Sequence, residues 1–174
     1  MLIREFVGAD CMIAKQEVLV GKVVEVVVDP NRPKIVALIV GQDEKKSKRK
    51  IVKIASVIDG WNGLVWIKSR ENLLDFDKAK IIADIVGRGY LVLGRWALNK
   101  NLDRIGKIMD FDFDLLTGMI NNFHLEKGIG WWKQKRIIGA RLFIEIIAKG
   151  VVFDLESSAD LRLQKIQEVE LVIQ

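Results

Sequence analysis

The chain has 174 residues, half of them hydrophobic and 29% charged, with 28 Lys and Arg against 23 Asp and Glu for a net charge of +5. This balance belongs to an ordinary globular protein and excludes a disordered polyelectrolyte. No apolar run approaches the ~18 residues of a membrane-spanning helix, and the single cysteine, Cys11, excludes an internal disulfide.

Met1 to Phe6 lacks the layout of a secretory signal, so a cytoplasmic location is the expectation. Val23 to Val28, Lys34 to Val40, Lys50 to Val57 and Leu64 to Lys68 are short runs rich in Val and Ile with turn residues between them, the pattern of strands. Asp29-Pro-Asn-Arg-Pro33 reverses the chain between the first two, since proline fixes φ and Asn tolerates unusual backbone angles. The loop before the third run is basic. Lys45, Lys46, Lys48, Arg49 and Lys50 follow Asp43 and Glu44 there. The first reading is a solvated tip that keeps neighbouring strands from aggregating. The second is a contact to RNA, DNA or anionic lipid, though without the interleaved aromatics that stack single-stranded bases. From Asp75 the period changes: Phe76, Ala79, Ile82, Ala83 and Val86 recur at helical steps, predicting a short amphipathic helix over 75–86, capped by Asp75 and stopped by Gly87.

The sequence then repeats itself. Gly21-Lys-Val-Val-Glu-Val-Val-Val-Asp29 is echoed by Gly106-Lys-Ile-Met-Asp-Phe-Asp-Phe-Asp114, an offset of 85 residues. That is too long for a solenoid unit and fits a duplicated small domain. At this offset Cys11 falls on Trp96, Lys34 to Val40 on Met119 to Leu125, and Ile51 to Ile58 on Arg136 to Phe143; a slip of two then pairs Gly63 with Gly150. In the second copy Asp114-Leu-Leu-Thr-Gly118 is the expected turn, and the loop matching the basic one holds Gly128-Ile-Gly-Trp-Trp-Lys-Gln-Lys135. Adjacent tryptophans in a strand point to opposite faces, so Trp131, Trp132 and Lys133 form a candidate partner-binding loop; the plainer reading packs both rings against the rest of the protein. A capping-box-like Ser157 and Asp160 suggests a further helix, and Val169, Leu171 and Ile173 a terminal strand.

Chemistry is hard to find. Asp110, Asp112 and Asp114 alternate like the start of a calcium loop, but Leu115 replaces the glycine and Asn121 the bidentate glutamate, so a solvated strand face ending in a turn aspartate is expected. His124 stands as a structural strand histidine, too far from Cys11 in sequence to suggest a zinc site, and the five serines lack a nucleophile-elbow context. No catalytic residue, metal or cofactor is expected, and the chain reads as a non-enzyme.

Gly-Lys followed by an apolar strand ending in Asp, then a turn, a second apolar strand and a later strand pair, resembles the PRC-barrel domain, the small β-barrel shared by the cytoplasmic part of the photosynthetic reaction centre H subunit and the C-terminal half of the bacterial ribosome maturation factor. Val20 to Pro30 with Ile35 to Val40, and Ile105 to Asp114 with Ile120 to Leu125, carry the resemblance. It implies a mainly β protein of two tandem barrels, 1–74 and 88–174 with a C-terminal extension, joined by a helical linker over 75–87. It further implies a binding module: an adaptor for a protein partner or a second copy of itself, with an RNA or ribosome assembly factor using Lys45 to Lys50, and a peripheral membrane-surface regulator, as the alternatives.

Overall fold

In the computed structural model, which describes residues 1–41, 49–128 and 133–155, each copy of the repeat forms one six-stranded sheet. The first comprises β1 (Asp10–Ile13), β2 (Val18–Val28), β3 (Ile35–Gly41), β4 (Lys50–Lys53), β5 (Val57–Trp61) and β6 (Leu64–Ile67). A helix, α1 (Lys80–Gly87), follows. The second sheet comprises β7 (Trp96–Leu98), β8 (Arg104–Phe113), β9 (Ile120–Lys127), β10 (Gln134–Gly139), β11 (Phe143–Ile147) and β12 (Gly150–Phe153). The strand orders are β4-β3-β2-β1-β6-β5 and β10-β9-β8-β7-β12-β11, antiparallel except where β1 meets β6 and β7 meets β12.

These sheets are not the closed barrels expected from the sequence. The end strands β4 and β5 are joined by a three-residue 3-10 turn, Ile54–Ser56, which brings the two ends of the curled sheet together without a ladder between them among the described residues. Ala140–Leu142 does the same in the second copy. The run Lys50 to Val57, expected as one strand, is therefore two strands at opposite ends of the sheet order.

The register corrects the alignment as well. Val26 pairs with Leu38 and Phe111 with Phe123, preserving the offset of 85, whereas Cys11 pairs with Val65 and Ala97 with Val151, an offset of 86. Cys11 thus corresponds to Ala97 rather than Trp96, and Leu64 rather than Gly63 to Gly150. The second copy is one residue shorter in the turn after its first strand and one longer between β9 and β10, where loops absorb the change. The shared glycine has a steric cause. A Cβ on Gly21 would sit 2.6 Å from the Gly41 carbonyl oxygen, too close for any side chain, and one on Gly106 would sit a tight 3.1 Å from that of Glu126, so glycine eases the same close approach in both copies.

The copies are joined by a contact each makes in the same way. The Ile35 N–H donates to the Gly118 carbonyl and the Ile120 N–H to the Pro33 carbonyl, both at 2.8 Å, while Lys34 faces its own counterpart Met119 as an antiparallel bridge. Such reciprocity is the signature of an isologous two-fold contact, here made within one chain. The core is correspondingly continuous across the copies. Phe6 meets Phe113 edge-on, ring centroids 5.1 Å apart, and Met1 exchanges two backbone hydrogen bonds with Phe113. The first residues of copy one therefore extend the second copy's sheet.

The helix begins later than its pattern predicted. A 3-10 turn, Phe76–Lys78, precedes α1, and Asp75 makes no capping bond because its carboxylate is ion-paired with Lys50. Ala79 and Ile82 pack on Val27, Ala37, Ile39 and Ile51, so this stretch covers the outer face of the first sheet. Burial on both sides explains why β2 reads as a nearly unbroken apolar run.

Candidate functional site

The copies share an interior and differ outside. Beneath α1 the outer face of β2, β3 and β4 presents Val24, Val27, Val36, Ala37, Ile39 and Ile51. Their counterparts on β8, β9 and β10 are Met109, Asp112, Asn121, Asn122, His124 and Ile137. His124 Nε2 lies 3.0 Å from Asp112 Oδ2, and Asn122 Nδ2 donates to the same oxygen at 3.1 Å. Burial pushes the Asp112 carboxyl up, but hydrogen bonds from His124, Asn122 and Asn121 outweigh it and hold the pKa below its ordinary value. A carboxylate-oriented imidazole is the base half of a hydrolytic triad. The chain's thiol does not complete it: Cys11 is buried in the other copy, where desolvation pushes it up to about 12.

The three alternating aspartates do not form one solvated face. Asp110 is only 5% exposed. Its Oδ1 accepts the backbone N–H groups of Arg4 and Phe111, and Arg4 Nε lies 3.2 Å from Oδ2 as an ion pair outside hydrogen-bond geometry. Asp112 belongs to the His124 cluster. Asp114 is the expected turn former, accepting the Thr117 N–H at 2.8 Å and its hydroxyl at 2.7 Å. Asp29 accepts the Asn31 N–H in the same role at 2.9 Å.

An exposed apolar surface lies on the other half of the first sheet. Residues directly opposite across paired strands share a face. Leu19, Met12, Trp66 and Asp59 stand in one row across β2, β1, β6 and β5, and Lys22, Asp10, Leu64 and Trp61 in the next. Trp61 is 61% exposed and Leu19 55%, with Met12, Leu64 and Trp66 half-buried between them. Lys22 and Asp10 pair at 2.7 Å along the border. The second copy treats the same place differently: the Arg104 guanidinium lies 4.5 Å from the Trp96 ring centroid and the Lys107 ammonium 5.2 Å from it. Arg104 is the counterpart of Leu19. One copy's indole is capped by cations; the other's is bare.

The sequence signal for this surface was the hairpin Trp61-Asn-Gly-Leu-Val-Trp66. Asn62 and Gly63 both adopt positive φ, 51° and 74°, as a two-residue hairpin turn requires. Such a turn pairs Trp61 with Leu64 and so sets both tryptophans on one face.

A cleft of about 1000 Å3 runs beside α1, lined by Ile81, Ile82, Ile85 and Ile146. Its cations Lys53, Lys78, Lys80 and Arg88 are matched by Asp29, Asp77, Asp84 and Glu145, so it presents no single-signed field to a charged ligand. Arg88 is bound to Asp84 at 2.8 Å.

Among the expected site residues, Lys45, Lys46, Lys48, Trp131 and Trp132 lie outside the described residues, as does the stretch from Ser157 onward. Lys50 is held by Asp75, and Lys133 by Glu126 at 2.8 Å. Arg49 acts electrostatically on Glu25, whose carboxyl burial pushes up and Arg49 partly brings back. Lys50 and Lys133 are thus ion-paired with the protein's own carboxylates at the surface, and Arg49 acts on one. No helix among the described residues is long and apolar enough to cross a membrane. Neither the protein-family models nor the curated proteins contain a match to this chain.

Proposed function

We propose that this protein is a non-enzymatic, PRC-barrel-like binding module that holds a protein partner on the apolar face formed by Leu19, Met12, Trp66, Leu64 and Trp61. The observation that carries this reading is the bare Trp61 and the exposed Leu19 at opposite ends of one apolar patch, positions where the second copy has Ile147 and Arg104, the latter stacked over Trp96. An indole left open on a sheet face, flanked by other large apolar side chains and bordered by an ion pair, has the make-up of an interface hot spot. The fold resemblance, read from the repeated Gly-Lys-strand-Asp unit, supports an adaptor role in the same direction.

Replacing Trp61 with Ala at such a site costs at least about 2 kcal/mol of binding, roughly a 30-fold loss of affinity. Leu19→Glu should act with it by placing a charge against the partner's apolar surface. Both positions are exposed, so thermal stability should move little. The reading fails if the double variant keeps the wild-type affinity for a protein that co-purifies with the native chain.

A further inference from the structure

The outer face of the second copy gathers positive charge around an aromatic ring. Across paired strands, Lys135, Glu126, Lys107 and Trp96 stand in one row on β10, β9, β8 and β7. Arg104, in the neighbouring row, reaches the same ring, its guanidinium 4.5 Å from the Trp96 centroid, and the Lys107 ammonium approaches to 5.2 Å. The row's one carboxylate, Glu126, is taken by Lys133 at 2.8 Å. Among the described residues, the exposed Arg104, Lys107 and Lys135 have no carboxylate of their own within ion-pair distance, so the face keeps a local surplus of positive charge. Asp103, beside Arg104, accepts from Asn99 at 3.0 Å, and Glu145, at the far end of Arg104's row, lines the cleft beside α1.

The first copy fills the equivalent row with Gly41, Lys22, Asp10 and Leu64, and there Asp10 neutralises the lysine at 2.7 Å. Trp96 in place of Asp10 removes that negative charge and adds a stacking surface. Arg104 in place of Leu19 adds a cation already positioned by the ring, which has less freedom to lose when it binds. Aromatic rings and guanidinium planes both stack on bases, while lysines pair with phosphates. The basic loop from Lys45 to Lys50 carries no such ring in its sequence. We propose that the face built by Trp96, Arg104, Lys107 and Lys135 binds single-stranded nucleic acid, with phosphates on the lysines and a base against the Arg104 and Trp96 pair. An acidic peptide or an anionic lipid surface would use the charges but not the ring-backed guanidinium. This site is separate from the Trp61 face and does not rest on it.

Fluorescence anisotropy of a labelled oligouridylate of about 12 nucleotides, titrated with the full chain, tests this. Phosphate contacts by Arg104, Lys107 and Lys135 predict that log affinity falls with log salt at a slope of about −2. Arg104→Leu, the first copy's residue, should weaken binding at least about fivefold, as should Lys107→Glu. Lys22→Glu, at the counterpart of Lys107, should stay within about twofold of the wild type. All three side chains are exposed, so the variants should fold. An abasic strand of the same length should bind at least about fivefold more weakly, and neither phosphatidylserine vesicles nor polyglutamate of equal charge should displace the oligouridylate. The proposal is overturned by absence of binding at about 50 mM salt, by an equal loss from Lys22→Glu, by equal affinity for the abasic strand, or by displacement with vesicles or polyglutamate. It is also overturned if charge reversal at Lys45, Lys46 and Lys48 abolishes binding that Lys107→Glu leaves intact.

Discussion

Gly118 sits where the two copies touch, and replacing it with Ala probes that contact directly. Its φ is +71°, and a Cβ there would lie 2.7 Å from the Ile35 carbonyl oxygen. Holding Ala in the left-handed region costs roughly 1–2 kcal/mol. The clash is with backbone, so it must be relieved by moving the strand ends apart, which weakens the two reciprocal 2.8 Å hydrogen bonds at about 1 kcal/mol each. The total is about 3–4 kcal/mol, and at this chain length each kcal/mol lowers Tm by roughly 2–4 °C, for a fall of roughly 6–16 °C. Gly94 supplies the control, since its φ of +75° is nearly the same but nothing lies within 4 Å of the added Cβ. Gly94→Ala should cost only the backbone strain and lower Tm by roughly 2–8 °C, always less than Gly118→Ala. Scanning calorimetry measures both. Equal shifts, or a Gly118→Ala protein that melts with the wild type, would refute the two-fold contact as a source of stability.

The Phe6 ring lies where a Cβ on Gly60 would go, 2.3 Å from its Cζ, while their counterparts are Val92 and Ile146; Gly60→Ala should destabilise by about 2 kcal/mol in denaturant titration, and Phe6→Leu should recover part of the loss. Asp112 is held below its ordinary 3.8 in the folded state, so its stabilisation is complete above that value and is lost as pH falls through the folded pKa; Asp112→Asn should flatten the acid limb of Tm against pH, and an unchanged limb would count against the His124 and Asn122 contacts. Burial pushes the Cys11 thiol up to about 12, so a disulfide reagent at pH 8 should modify it only at the rate of unfolding; stoichiometric reaction within seconds would contradict its place in the core.

Much of this architecture was written in the residues. Gly21 and Gly106 opened the repeated unit, and Asp29 and Asp114 marked the turns that meet at the two-fold contact. The difference between the outer faces was also visible, because Val23 to Val28 is apolar almost throughout while Ile108 to Phe113 alternates, the patterns of a sheet covered on both faces and on one. What could not be read was the turn inside Lys50 to Val57, since Ile54, Ala55 and Ser56 differ little in local preference from strand residues and tertiary burial of Ile54 decides the bend. Asp75 looked like a cap because a helix start and an ion-pair partner call for the same residue type, and Lys50 lies 25 residues away in sequence. Trp61 and Trp66, five residues apart, would point to opposite faces of a continuous strand and share a face only because the Asn62-Gly63 turn reverses the chain between them.

The most direct test of the binding role is a photo-crosslinking amino acid placed at position 61 in the living cell, with the same residue at its counterpart, position 147, as the control. A crosslink to one protein species from position 61, lost in the Leu19→Glu background and absent from position 147, is the result expected. Equal crosslinking from both positions, or none from position 61, would contradict a partner held on the uncapped tryptophan face of the first copy.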